Sequence, residues 1–261
     1  MDEISLVTRG KINRKLHITG RREDGYHLID SLFQPLALRD GLVLKKAKNH
    51  TTFRTNEKSL SWNQDNLCKR ALDLLEEKTG EKFYLDIILD KKIPLGAGLA
   101  GGTANGAGIL KGVNALYDLK IPLETLKEWA LALGADFPYC LEDRPLRAQG
   151  IGEILTPVEG LVDTPILLLN PGFQVDSKRA YSWYDALGGE GRNHLERGVS
   201  KNHPEIQKMM EDLKTYGAYE VSMTGSGPTV YGLFHEDKAR DRAAEDLKTS
   251  WPLVVKTRSG N

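Results

Sequence analysis

"IPLGAGLAGGTANGAGIL", Ile93 to Leu110, is the stretch on which the reading of the chain turns. Glycines at 96, 98, 101, 102, 106 and 108 crowd a bend that runs straight into an apolar helical pattern. Glycines let backbone N–H groups approach an anion without Cβ obstruction, and the first turn of a following helix adds open donors and a partial positive charge. The stretch predicts a phosphate-binding bend followed by a helix over 103–117. Two other glycine signatures fit less well. A P-loop needs Lys after its last glycine, and here Gly101 is followed by Gly102 and Thr103. A dinucleotide fingerprint is met literally by Gly96, Gly98 and Gly101, but it should follow a buried parallel strand. The preceding "FYLDIILD" instead alternates, Phe83, Leu85, Ile87 and Leu89 against Tyr84, Asp86 and Asp90. A close-packed glycine corner is the remaining alternative.

Upstream, "SLVTRGKINRKLHITG" reads as two short strands around a basic centre, with a turn at Asp24-Gly25. "SLFQPLALRDGLVLKK" is strand-like, broken at Pro35, with a second turn at Asp40-Gly41. A helix is expected over 66–78, capped by Asn66 and ended by Gly80, and another over 123–133, ended by Gly134. "ILTPVEGLVDTP" interrupts regular structure at Pro157, Gly160 and Pro165. This places the domain boundary at 158/159, with an N-terminal mixed α/β lobe over 1–158 and a C-terminal lobe over 159–261. The second lobe reads strand (166–169), helix (177–186), helix (204–216), strand (219–223), strand (229–234), helix (236–248) and strand (252–256). That interleaving is close to a ferredoxin-like α+β layer, so the fold class is α+β with two lobes.

Charge excludes some functions. The 261 residues carry 36 basic and 36 acidic side chains, so no net field favours nucleic acid or an anionic membrane. Apolar runs such as "ILLL" (166–169) are too short to span a bilayer, and "MDEISLVTRG" lacks the features of a secretory signal. Cys68 and Cys140 offer no disulfide framework. A cytoplasmic protein acting on a small molecule is expected, with no nucleic-acid or membrane partner, as a monomer or weak homodimer.

The residues also carry a family likeness. "PLGAGLAGGTANGAG" resembles the phosphate-binding signature of the GHMP small-molecule kinases. "RGKINRKLHITGRREDGYH", "LGADFPYCL", "AQGIGEILTP" and "SMTGSGPTVYGLF" resemble, in order, segments of one branch of that family, the 4-diphosphocytidyl-2-C-methyl-D-erythritol kinases. The likeness spans Lys11 to Phe234 and implies a two-lobed GHMP-kinase fold, ATP and Mg²⁺ as cofactors, and a cytidine diphosphate-linked polyol as substrate. It implies phosphorylation of that substrate's 2-hydroxyl in the non-mevalonate route to isoprenoid precursors. The alternatives are a GHMP kinase for another small alcohol (homoserine, a sugar or a mevalonate-like acceptor) and a catalytically silent nucleotide binder.

Phosphoryl transfer asks a protein to align a hydroxyl with the γ-phosphate and to neutralise charge on the oxygens. Asp136, on a loop after Gly134, supplies a carboxylate that either caps a turn or orients the hydroxyl; the likeness makes it the catalytic one. Arg9, Lys11, Arg14 and Lys15 are equivalent by spacing, and the likeness selects Lys11 as the partner of Asp136. It also assigns Pro94, Leu95, Gly96, Ala97, Gly98, Leu99, Ala100, Gly101, Gly102, Thr103 and Ala104 to the ATP bend. Asn13 shares a strand face with Lys11 and is matched to the acceptor end. Tyr26 and His27 read alone as turn packing, and by likeness as readers of the cytosine, with Tyr181 ahead of Tyr184 as the second aromatic. Arg147 is either a surface cation or a contact to the substrate diphosphate. Thr224, Gly225, Ser226 and Gly227 form either a plain β-turn or a second donor cluster on the acceptor side. No metal ligand is assigned.

Four positions depart from the family pattern: Ala100, Asn105, Arg14 and Lys15. Ala100 stands where glycine is usual, harmless at negative φ and costly at positive φ. Thr103 keeps a hydroxyl for capping or Mg²⁺. Asn105 replaces a carboxylate, which predicts local capping and a weaker Mg²⁺ dependence. Arg14 and Lys15 are also unusual, and nothing in the sequence explains them.

Overall fold

The computed structural model describes residues 1–260. Its segments gather into two compact units that interleave along the chain. The first takes Met1–Gly10, Leu38–Leu95 and Ala100–Asp143; the second takes Lys11–Ala37, Gly96–Leu99 and everything from Arg144 on. Neither unit is therefore a single consecutive stretch, and the last crossing falls at Asp143/Arg144 rather than near 158.

The interleaving follows from two long strands, β1 (Glu3–Arg21) and β2 (His27–Lys46), each contributing to both units. The expected pair of short strands around a basic centre is one strand of 19 residues. Polar residues signal a strand break only when they face water, and here Lys11 and Asn13 are buried and paired within the strand. Likewise β2 runs through Pro35. The proline stands after the run that pairs with the next strand of the second unit (29–33) and before the run that pairs in the first (41–46). Its missing N–H therefore costs neither of these two ladders a bond, and its carbonyl accepts from Gly260 N at 2.8 Å. The turn expected at Asp40-Gly41 is absent, because Asp40 is wholly buried inside the strand. The turn at Asp24-Gly25 is present, with Gly25 at φ 91° joining β1 to β2.

In the first unit, β3 (Thr52–Thr55) pairs parallel and β2 antiparallel with β4 (Leu85–Asp90), a mixed sheet. Leu85, Ile87 and Leu89 are buried, as the alternation predicts. α1 (Leu67–Thr79) begins at Asn66, whose side chain accepts from Cys68 N, and ends at left-handed Gly80. α2 spans Gly101–Leu116 and α3 Leu123–Ala130, the latter extended by a 3₁₀ turn to Leu133. α4 (Phe137–Glu142) is a helix that the sequence reading missed. The glycines inside α2 serve packing. A Cβ on Gly106 would stand 2.8 Å from the Phe137 ring, and one on Gly112 2.4 Å from Leu44. The close-packed-corner reading thus holds for the helical half of the glycine run.

In the second unit, β5 (Leu146–Gly150) pairs with β2 and with β6 (Ile154–Pro157). β6 lies at the start of the stretch expected to interrupt regular structure, and β5 in a stretch for which no element was expected. Beyond them come β7 (Pro165–Asn170), α5 (Ser177–Leu187), α6 (Glu196–Asn202), α7 (Glu205–Thr215), β8 (Glu220–Met223), β9 (Val230–Leu233), α8 (Asp237–Leu247) and β10 (Leu253–Arg258). The sheet order β10-β7-β9-β8, antiparallel throughout, is the ferredoxin-like arrangement the element pattern predicts; α6 is the addition. Leu16 and Ile18 from β1 join this unit's core with Leu167, Leu169, Met223 and Phe234.

Candidate active site

Within the second unit, three segments distant in sequence meet: β1 around Lys11, the residues Gly96–Leu99, and the turn Thr224–Gly227 between β8 and β9. Lys11 N donates to Leu99 O at 3.0 Å, and Lys11 Nζ donates to Gly98 O at 3.3 Å and to Asn13 Oδ1 at 2.7 Å. The ammonium also lies 5.4 Å from the centroid of the Phe33 ring. Asn13 N donates to Thr224 Oγ1 at 2.9 Å, which ties β1 to the Thr224–Gly227 turn. The two glycine segments touch backbone to backbone. A Cβ on Gly98, which has φ 73°, would lie 2.8 Å from Thr224 O and 2.9 Å from Gly227 O. Only glycine fits there.

In the first half of the glycine bend Gly96 has φ 61° and is exposed. The helix starts at Gly101, two residues earlier than predicted, and Ala100 is its N-cap residue. Ala100 has φ 57° and ψ 22°, the costly case of the two foreseen, and it offers no side-chain cap. Thr103 sits inside the first turn, so its hydroxyl is not the cap.

Asn105 does not cap either. It is buried in α2, and Nδ2 donates to Thr8 Oγ1 at 2.7 Å and to Asp40 Oδ2 at 2.9 Å. Asp40 is the hub of this cluster: it pairs with Lys91 Nζ, and its other oxygen accepts from Lys92 N at 2.7 Å and Ile93 N at 2.8 Å. The chain is thereby pinned at the entrance to the glycine bend. Sequence reading took Asp40-Gly41 for a turn; the apolar residues on both sides were the signal that a buried, paired carboxylate was possible.

Asp136 belongs to the first unit, at the residue before α4, half-buried with φ −81°. Its side chain does not cap α4. Tyr26 is 60% exposed at the hairpin tip, and His27 follows it as the first residue of β2. The His27 ring stacks on Tyr181 at 4.8 Å and meets Tyr184 edge-on at 6.0 Å. His27 Nε2 lies 2.6 Å from Asp185 Oδ1, a partner no spacing rule singled out. A cavity of about 340 Å³ opens here, lined by Ile18, Thr19, Gly20, Arg21, His27, Tyr184 and Asp185. Arg147 is held in a two-point pair with Asp30, Nε to Oδ1 at 2.8 Å and Nη2 to Oδ2 at 3.0 Å. Lys15 Nζ reaches the same carboxylate at 2.7 Å. These hydrogen bonds, Arg147's foremost, pull the Asp30 carboxyl down to about 2 against the opposing effect of burial. Arg14 pairs with Glu220, which accounts for one of the two unusual cations, and Asp30 accounts for the other. Ser226 Oγ lies 2.9 Å from Ser177 Oγ.

Residues 66–142 match the GHMP kinases N terminal domain, and residues 177–253 match the GHMP kinases C terminal domain. A 4-diphosphocytidyl-2-C-methyl-D-erythritol kinase of Alkaliphilus metalliredigens is 33% identical over 95% of this chain and 93% of its own length. The chain belongs to the 4-diphosphocytidyl-2-C-methyl-D-erythritol kinase family. A further member, from Thermoanaerobacter pseudethanolicus, is 35% identical over 97% of this chain and 95% of its own. A crystal structure of a 4-(cytidine 5'-diphospho)-2C-methyl-D-erythritol kinase superposes with a TM-score of 0.83 at 30% identity, covering 99% of this chain and 100% of that one. Homoserine kinase from Cytophaga hutchinsonii shares the fold alone, with a TM-score of 0.74 at 16% identity over 100% of this chain and 95% of its own. As a member of the GHMP kinases, the protein is an ATP-dependent small-molecule kinase. Among the described residues, no helix is long and apolar enough to cross a membrane.

Proposed function

We propose that the enzyme transfers the γ-phosphoryl group of ATP to the 2-hydroxyl of 4-diphosphocytidyl-2-C-methyl-D-erythritol. The observation that carries this reading is the meeting of Lys11 and Asn13 with Gly98, Leu99 and Thr224. A buried ammonium beside a glycine bend suits an anionic phosphoryl group, since a charge held in a poorly hydrated site acts on its partner with little screening. In this reading Pro94 to Ala104 hold the triphosphate, using the positive-φ glycines and the open N–H groups of α2's first turn. Asp136 orients the acceptor hydroxyl and takes its proton, and Lys11 stabilises the transferring oxygens. Tyr26, His27 and Tyr181 grip the cytosine. Thr224 to Gly227 close on the acceptor, and the guanidinium edge of Arg147 left over from Asp30 meets the diphosphate.

The donor chemistry of the bend also fits a nucleotide-borne Mg²⁺: the half-buried Thr103 hydroxyl in the first turn is an oxygen ligand of the hard type this ion takes. When bound, Mg²⁺ neutralises charge on the β- and γ-phosphates. Asn105, spent on Thr8 and Asp40, is left out of that role. The same reading puts the enzyme in the cytoplasm with its ATP, as a monomer or weak homodimer.

The test is ADP formation with the cytidine diphosphate-linked polyol. Asp136→Asn is expected to lower turnover at least about a hundredfold while ATP still binds, the usual scale for a lost general base. Full turnover in the variant removes Asp136 from the reaction. Free cytidine nucleotides are expected to compete with the acceptor. Absence of competition favours a GHMP kinase for a different alcohol.

A further inference from the structure

Four buried side chains of the second unit form a hydrogen-bonded chain whose proton order can be worked out from one end. Ser31, in β2, is wholly buried, as is Thr224; Asn13 is 2% and Lys11 3% exposed. Ser31 Oγ donates to the carbonyl of Lys15 at 2.6 Å. A carbonyl can only accept, and a hydroxyl has one proton, so Ser31 has only lone pairs left to offer. The Asn13 side-chain atom 2.8 Å from Ser31 Oγ must then be the NH₂ group. Oδ1 is thereby turned the other way, where it accepts from Lys11 Nζ at 2.7 Å and from Thr224 Oγ1 at 3.3 Å. A flipped amide would set NH₂ against the ammonium and leave Ser31 Oγ without a donor. With no exposed surface at Ser31 or Thr224, water has no easy route to repair either fault.

We infer that Ser31 is a positioning residue for phosphoryl transfer: anchored on the Lys15 carbonyl, it sets the direction of the Asn13 amide and, through it, holds the Lys11 ammonium beside Gly98. The assignment rests on the proposed role of Lys11 and Asn13. Ser31 is outside every motif that pointed to the site, being an ordinary small strand residue in sequence. It acts through Asn13 alone, and that makes the assignment separable from a packing role.

The experiment is a double-mutant cycle on the full chain, with kcat, the KM for ATP and thermal melting measured for each variant. Ser31→Ala is expected to lower kcat about tenfold, the scale of one misdirected buried hydrogen bond, with the KM for ATP within about twofold. Asn13→Ala is expected to lower kcat at least as far. Adding Ser31→Ala to Asn13→Ala should then change kcat by less than about twofold, because the group it directs has gone. Two results overturn the assignment: a Ser31→Ala kcat within twofold of the parent, or a double variant whose loss is the product of the single losses. If Ser31→Ala does not fold, Ser31→Thr carries the test. A kcat within about threefold of the parent supports the assignment, since the hydroxyl is kept, and a loss as deep as that of Asn13→Ala overturns it. Full turnover in both Lys11→Ala and Asn13→Ala refutes the reading of that pair and the Ser31 assignment with it. Losses there, without one in Ser31→Ala, refute the Ser31 assignment alone.

Discussion

Ala100 holds a backbone conformation that an L-residue with a Cβ disfavours, at φ 57° and ψ 22°. Ala100→Gly is expected to stabilise the protein by about 0.5–1 kcal/mol, the left-handed penalty reduced by glycine's greater freedom when unfolded, read as a higher Tm. Asn105 shows how a departure from a family pattern can be absorbed by its neighbours. A carboxylate there would face Asp40 across the 2.9 Å now bridged by the amide, with Lys91 as the ammonium paired in the cluster. Asn105→Asp should therefore cost about 2–4 kcal/mol in denaturant unfolding, the scale of an uncompensated buried charge. The resemblance located Lys11, Asn13 and His27 in sequence, and the structure gives each a specific partner. Ser31 and Asp185 were invisible because nothing marks a polar strand or helix residue as buried until its partner is known, and Asp40 was marked only by the apolar residues on either side of it.

Glycine segments Gly96–Leu99 and Thr224–Gly227 pack as one element. Gly98→Ala forces a methyl against two carbonyls at a left-handed position. It is expected to destabilise by about 2–4 kcal/mol or to raise the KM for ATP at least tenfold, measured by melting and by ADP formation. Across β1, β2 and β5, the Lys15–Asp30–Arg147 cluster clamps three strands. The Asp30 carboxyl falls from its ordinary 3.8 to about 2 on folding, so its contribution is fully present above pH 3.8 and is lost as pH falls through about 2. With Asp30 8% exposed, a shift of that size is worth about 2 kcal/mol, and Asp30→Asn should remove that part of the acid-side slope in stability-versus-pH measurements. The longer helices and the strands of the ferredoxin-like sheet were legible because caps and apolar periods are local signals, whereas α4 and α6, of six and seven residues, are too short to show a period. The strands β5 and β6 were not: their four to five residues carry no period long enough to outweigh Gly150, Gly152 and Pro157.

The two units cannot be cut apart at a single peptide bond, since each draws on separated segments. A fragment 159–261 keeps the sheet β10-β7-β9-β8 but loses Leu16 and Ile18 from its core, and with them the bonds of Leu16 to Arg192 and His194. Expressed alone, it is expected to melt well below the full chain or to aggregate, as circular dichroism and gel filtration would report. A consecutive boundary is what the Pro- and Gly-rich stretch near 158 suggests. The interleaving was hidden because strand continuity through Lys11 and Pro35 depends on burial that composition does not reveal. That continuity has a metric consequence. His27 and Ser31 lie on one unbroken strand, and four residues of extended chain measure roughly 13 Å. Under the proposed reading the hairpin acts as a ruler: an acceptor that touches His27 with one end and reaches the Lys11–Asn13 end with the other must have that length. A nucleoside diphosphate bridged to a short polyol does, and a molecule the size of an amino acid falls short.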